Sequence, residues 1–120
     1  MGKGSTKTMQ YRVLIVDDST FYRKRLTSVL EKDPSIQVIG HAVNGLEAVQ
    51  KAIELKPDVI MMDVEMPIMG GIEAVGKIMR ASPTAILMFS SLTQAGAQET
   101  FDALEAGAVD FIPKKFDDIS

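Results

Sequence analysis

The sequence predicts an α/β domain in which a parallel five-stranded sheet lies between two layers of helices. Five short apolar runs recur along the 120 residues, at 12–16, 36–40, 58–62, 84–89 and 109–112. Their starting positions are 24, 22, 26 and 25 residues apart, which is the length of one strand plus one crossover helix. The runs are apolar throughout rather than alternating, as strands are when helices cover both faces of their sheet. We therefore expect a (βα)₄β order, with the fifth helix truncated.

The segments between the runs carry apolar side chains at helical spacing. The predicted buried faces are, helix by helix, Leu26, Val29 and Leu30; Ala48, Val49, Ala52 and Ile53; Val75, Ile78 and Met79; and Ala97, Phe101 and Leu104. Stop signals follow the four segments in turn, at Pro34, Pro57, Pro83 and Gly107. Asn44, with Glu47 three residues later, predicts an N-terminal cap for the second helix.

Length, charge and composition exclude several classes of function. A chain of 120 residues supports one domain, and its net charge of −3 offers no basic surface for nucleic acid. The absence of cysteine excludes disulfides and zinc–thiolate sites, and His41 alone cannot build a multi-histidine metal site. The apolar runs are far shorter than the roughly 20 residues that a membrane span requires. We expect a cytoplasmic domain without membrane or nucleic-acid partners.

The two ends of the chain differ in character from its middle. Residues 1–10 are small, polar and basic, and we interpret them as a disordered leader or an expression-vector remnant. The domain is expected to span residues 11–120, with its fifth helix largely missing. Such a truncation would leave part of the sheet face around strands 1 and 5 uncovered, and we expect it to reduce stability or to cause self-association.

Polar side chains follow four of the five predicted strands, at the point where each strand ends. They are Asp17, Asp18 and Ser19 after strand 1, Asp63 after strand 3, Ser90 after strand 4 and Lys114 after strand 5. In the flavodoxin-like strand order 2-1-3-4-5, ligands bind where the order reverses, between strands 1 and 3. Asp17, Asp18 and Asp63 are therefore expected in one crevice.

Three carboxylates in one crevice require a proton or a cation. Two unit charges about 4 Å apart repel by roughly 4 kcal/mol at an effective dielectric of 20. Oxygen ligands without histidine or cysteine favour Mg²⁺. A carboxylate beside that ion can act as a nucleophile toward phosphorus, and Asp63 is the candidate because it ends the central strand. Lys114 and Ser90 are candidates for contacts with the phosphoryl oxygens.

A purely structural interpretation of each residue is also open. Asp18 or Ser19 could cap the first helix, and Asp63 could be a turn residue. Lys114 could be an ordinary solvated lysine, and the Ser90 hydroxyl could be bonded to backbone.

Four segments together resemble the receiver domain of two-component response regulators over about residues 11–116. They are the acidic pair after 13–16, the stretch 58–67 around Asp63, the hydroxyl residues 90–91 and the pair 113–114. Within that family, the stretches 63–67, 90–97 and 105–114 are most similar to the regulatory domains of chemotaxis protein-glutamate methylesterases. The resemblance implies a receiver-type three-layer sandwich.

The resemblance also implies roles for particular residues. Asp63 would be phosphorylated by a chemotaxis histidine kinase, and Mg²⁺ would be held by Asp17 or Asp18, Asp63 and the backbone carbonyl of Glu65. The phosphate would act on a distant surface through Ser90 and Phe111, although Phe111 could equally be a static aromatic. Family members of this kind restrain a C-terminal methylesterase domain, absent from this chain, that demethylates and deamidates chemoreceptor glutamates.

The chain departs from the family in lacking a recognisable fifth helix and at the position after the site lysine. Most receivers have a proline after the site lysine, joined to it by a cis peptide, whereas this chain has Lys115 at that position.

Three other functions stay open. A stand-alone receiver that docks on a partner protein is one alternative. A small phosphatase would favour an Asp-x-Asp pair on the first strand, in contrast to Asp17–Asp18–Ser19. A flavin-binding electron carrier would need a phosphate loop rich in Ser, Thr and Gly in place of two aspartates.

Overall fold

Strands and helices alternate strictly in the computed structural model, which describes residues 9–90 and 96–114. In chain order they are β1 (Tyr11–Val16), α1 (Thr20–Leu30), β2 (Ile36–Ala42), α2 (Gly45–Leu55), β3 (Val59–Asp63), α3 (Gly71–Ala81), β4 (Ala85–Ser90), α4 (Gly96–Ala106) and β5 (Asp110–Pro113). All strand pairs are parallel, and the order across the sheet is β2-β1-β3-β4-β5. The predicted fold class is confirmed, and every strand boundary lies within two residues of its prediction.

The side chains of each central strand divide between two cores, one on each face of the sheet. Leu14 and Val16 point into the larger core, which α2, α3 and α4 cover, whereas Val13 and Ile15 point into the smaller core under α1. Because both sets are buried, the strand has no polar face, which explains why the apolar runs are continuous.

The part of the sheet predicted to be uncovered is smaller than expected. Around strand 1 the prediction is wrong, because α1 lays Tyr22 and Leu26 over Val13 and Ile15. At strand 5, Ile112 is 36% exposed. Residues 115–120, where a fifth helix would begin, lie outside the described residues.

The buried face of α4 also differs from the prediction. Phe101 and Leu104 are 61% and 45% exposed, and Ala103 of the same helix is fully buried instead. A small side chain at the contact allows the helix axis to lie close to its neighbours, and larger side chains on either side then remain at the rim. Ala97 lies outside the described side chains. Of the remaining predicted positions, Val29 and Ile53 are exposed as well.

Side-chain caps fix the starts of two helices. The Asn44 Oδ1 accepts a hydrogen bond of 2.8 Å from the Glu47 N–H, as predicted, and the Glu47 carboxylate accepts one of 3.1 Å from the Val43 N–H. At α1, the Ser19 Oγ accepts a bond of 3.1 Å from the Tyr22 N–H. Ser19 is therefore a helix cap, in agreement with the structural interpretation of that residue.

No helix within residues 9–90 or 96–114 combines the length and the apolar character needed to cross a bilayer.

Candidate functional site

A cavity of about 320 Å³ lies at the carboxyl edge of the sheet, where β1, β3, β4 and β5 end. Its lining residues are Asp17, Asp18, Ser19, Asp63, Glu65, Ser90 and Lys114. The structure thus brings together every predicted site residue except Phe111. The position agrees with the general rule that ligands of open parallel sheets bind beyond the carboxyl ends of the strands.

Asp63 is the last residue of β3 and is only 7% exposed. Its Oδ1 accepts a hydrogen bond of 3.0 Å from the Val64 N–H. Burial, and then the negative charge of Asp17, raise the pKa of Asp63 to about 6, against the lowering effect of Lys114. An ionised Asp63 is therefore an energetically costly group that a further positive charge would stabilise.

A glycine brings the start of α3 against the backbone of Asp63. A Cβ on Gly71 would lie 2.0 Å from the Asp63 carbonyl oxygen, a distance that no side chain could tolerate. The Gly71 N–H donates a bond of 2.7 Å to the Val64 carbonyl. This close approach fixes the backbone on either side of the candidate phosphoacceptor.

The carboxylates of Asp17, Asp18 and Asp63 form the acidic cluster that the sequence predicted. One oxygen from each lies within 4.8 Å of the others. Asp17 is buried and its Oδ1 accepts a bond of 2.9 Å from the Ser19 N–H, whereas Asp18 is exposed. An all-oxygen donor set with an open, solvated side fits a hard divalent cation that retains water, such as Mg²⁺. The residues present therefore fit the ion.

Lys114 closes the cavity from the last strand. Its Nζ lies 2.5 Å from Asp17 Oδ2 and 3.4 Å from Asp63 Oδ1, and its side chain is 6% exposed. The Lys114 N–H donates a bond of 2.6 Å to the carbonyl of Ser90, itself buried at the end of β4. The interpretation of Lys114 as an ordinary solvated lysine is therefore wrong.

Tyr22 belongs to this site but was given no role in the sequence prediction. Its ring centroid lies 4.1 Å from the Lys114 Nζ. Burial, Asp17 and Asp63 raise the pKa of the Tyr22 hydroxyl to about 12. Helical spacing could have indicated that Tyr22 is buried, because Tyr22 lies four residues before the buried Leu26 on the same helix face.

One predicted residue lies away from the cavity. Phe111 on β5 packs against the larger core, which is on the opposite face of the sheet from Tyr22. The Lys114–Lys115 peptide involves a residue outside the described part of the chain.

Comparisons with known proteins agree with this geometry. Residues 13–120 match the family model described as the response regulator receiver domain. A protein-glutamate methylesterase/protein-glutamine glutaminase of Colwellia psychrerythraea is 65% identical over 112 residues, which are 93% of this chain and 30% of that protein. The chain therefore spans about a third of the length of such curated relatives.

Solved structures give the same result at the level of the fold. The response regulator domain of Thermotoga maritima CheB is 55% identical with a TM-score of 0.83, and the match covers 90% of this chain and 79% of that one. A CheX–CheY–BeF₃–Mg²⁺ complex from Borrelia burgdorferi contains a chain that is 34% identical with a TM-score of 0.81, covering 89% and 80%. With this fold, this cavity and these matches, the chain belongs to the family of response regulator receiver domains.

Proposed function

We propose that this domain accepts a phosphoryl group on Asp63 from a chemotaxis histidine kinase, in a reaction that requires Mg²⁺. The observation that carries the proposal is the Lys114 ammonium 3.4 Å from Asp63 Oδ1, in a cavity that also contains Asp17 and Asp18. Phosphoryl transfer depends mainly on positioning and on neutralising charge, and these groups supply both.

The transfer uses one carboxylate oxygen of Asp63 as the nucleophile. A bond forms from that oxygen to phosphorus as the bond from phosphorus to the donor breaks, and the electron pair leaves with the donor. In this proposal the Lys114 ammonium balances charge on the phosphoryl oxygens, and the Ser90 hydroxyl donates a hydrogen bond to one of them; both residues line the cavity. When bound, the cation would supply further positive charge at the same oxygens.

The proposed ligands of that cation are the carboxylates of Asp17, Asp18 and Asp63 and the backbone carbonyl of Glu65. The spacing of the three carboxylates and the position of Glu65 in the cavity lining support this set. The Borrelia complex, which includes Mg²⁺ and BeF₃, supports the choice of ion.

We infer that the domain controls a methylesterase domain linked to it in the complete protein. The names of the relatives, which this chain matches over about 30% of their length, support that partner. Chemoreceptors would then be indirect partners, as the substrates of the linked domain. The stand-alone receiver stays the alternative, and no observation favours it over the linked arrangement.

Other parts of the functional prediction stay predictions. The cytoplasmic location and the self-association of the domain are among them. So is the switch through Ser90 and Phe111, whose side chains lie at the cavity and in the larger core, respectively.

Intact-mass measurement after incubation with acetyl phosphate and Mg²⁺ tests the proposal. We expect the wild-type chain to gain one phosphoryl group and Asp63→Asn to gain none. Asp58→Asn is the matched control, because Asp58 is an exposed aspartate outside the cavity lining, and it should behave as wild type. Equal labelling of Asp63→Asn and wild type, or no labelling of wild type, would contradict the assignment.

A further inference from the structure

The Lys114 ammonium has an aromatic neighbour in addition to its two carboxylates. Its Nζ lies 4.1 Å from the centroid of the Tyr22 ring, with Asp17 Oδ2 at 2.5 Å and Asp63 Oδ1 at 3.4 Å. A ring face attracts a cation within about 6 Å, and more strongly when both are withdrawn from water. Both conditions hold here, since Tyr22 and Lys114 are buried side chains.

The Tyr22 ring is fixed from several sides. Its backbone N–H donates to the Ser19 cap in the first turn of α1, and the ring packs in the smaller core. Its centroid lies 6.4 Å from that of Phe89, with the two planes inclined at 59°. A fixed ring can hold the lysine head in one place without a change in its own rotamer.

The two kinds of neighbour have different consequences for Lys114. Asp17 neutralises the ammonium and is also a proposed ligand of the cation, so it cannot serve both groups with the same oxygen. The ring of Tyr22 carries no net charge and leaves the positive charge of Lys114 available to an incoming anion.

We propose that Tyr22 is a positioning residue, whose ring holds the Lys114 ammonium beside Asp63 in the place where phosphoryl oxygens arrive. This inference rests on the proposed function of Asp63 as the phosphoacceptor. It assigns Tyr22 an effect on phosphoryl transfer that is exerted through Lys114.

Phosphorylation rates in two backgrounds test the proposal. Tyr22→Phe keeps the ring, whereas Tyr22→Met keeps an apolar side chain without one. With acetyl phosphate and saturating Mg²⁺, we expect Tyr22→Phe to stay within about twofold of wild type and Tyr22→Met to fall by about 5- to 30-fold. In a Lys114→Met background, Tyr22→Met should cause no further fall, because the group through which it acts is gone. An equal fall in both backgrounds, or no fall in either, would overturn the proposal.

A second measurement needs neither Mg²⁺ nor a phosphodonor. The Lys114 ε-methylene protons should resonate upfield of their position in an unfolded chain, because they adjoin a nitrogen that lies 4.1 Å from the centroid of the Tyr22 ring. The upfield shift should persist in Tyr22→Phe and disappear in Tyr22→Met. Unshifted protons in the wild-type chain overturn the contact, even where Tyr22→Met does not fold. If the wild-type chain shows the shift but takes up no phosphoryl group, the proposed function of Asp63 fails and the contact with Tyr22 stands.

Discussion

Asp63 combines burial with two opposing neighbours, and its ionisation contributes to the pH dependence of the domain's stability. Its pKa is raised from 3.8 to about 6, so the folded state binds this proton more tightly than the unfolded chain does. The contribution of Asp63 to stability therefore improves as pH falls through about 6 toward 4. At neutral pH the ionised group lowers the free energy of unfolding.

Asp63→Asn should accordingly stabilise the domain in the absence of divalent metal. We expect a rise of about 1–3 kcal/mol in the free energy of unfolding at pH 7, and a smaller difference from wild type at pH 5, where Asp63 is mostly protonated. Urea denaturation in a chelating buffer at the two pH values measures this. Glu54→Gln, an exposed change on α2, serves as the control and should be nearly neutral. A lower stability for Asp63→Asn at pH 7 would show that the Lys114 contact outweighs the burial of the charge.

The residues of the site differ in how far the sequence predicted them. Asp17, Asp63 and Lys114 follow strands, and parallel strands end at one edge, so their meeting in one cavity follows from the pattern alone. The contact between Tyr22 and Lys114 was not predicted, because one residue lies on the first helix and the other follows the last strand. No local sequence pattern links two such positions. Ser19 could be interpreted from the sequence as a polar residue of the site or as a helix cap. In the structure it both lines the cavity and caps α1.

At the scale of elements, the start of α2 is held by the side chain of its N-terminal cap. Asn44 is buried, and its Oδ1 satisfies the Glu47 N–H, a donor without a partner inside the helix. Asn44→Ala should therefore lower the free energy of unfolding by about 1 kcal/mol. Chemical denaturation measures this loss.

Asn44→Asp is the matched variant for α2. It keeps the accepting oxygen and adds a negative charge at the positive end of the helix, so it should retain wild-type stability or exceed it. A loss equal to that of Asn44→Ala would mean that the amide group of Asn44, rather than its accepting oxygen, is what the helix needs.

The strands were easier to predict than the helix faces. Most residues of β1, β3 and β4 are buried on one face of the sheet or the other, so an apolar run marks the whole element. A helix has a single buried stripe, and in α4 that stripe contains Ala103, whose small side chain gives a weak hydrophobic signal. Phe101 and Leu104 gave the stronger signal and lie at the exposed rim.

At the scale of the whole molecule, the acidic cluster should couple folding to Mg²⁺. An ion that binds only the folded chain raises the free energy of unfolding by about 1.4 kcal/mol at a concentration ten times its Kd. We expect the urea midpoint of the wild-type chain to rise with MgCl₂ beyond any rise in NaCl of equal ionic strength.

Asp18→Asn separates binding from folding in that titration. Asp18 is exposed, so its loss should leave the metal-free stability close to wild type while weakening the response to Mg²⁺. A response to Mg²⁺ that is unchanged in Asp18→Asn would remove this residue from the proposed ligand set.

The ion pair between Lys114 and Asp17 joins residues 97 positions apart in the chain. During synthesis on the ribosome, a nascent domain acquires Asp17 and Asp18, which follow β1, early but obtains the lysine only after the last strand has emerged. Because a non-local pairing requires a long loop to close first, we expect the cavity to be completed late in folding. Incompletely folded chains therefore lack the Lys114 ammonium that balances the charge of Asp63. Only chains in which β5 has joined the sheet would be competent to receive a signal.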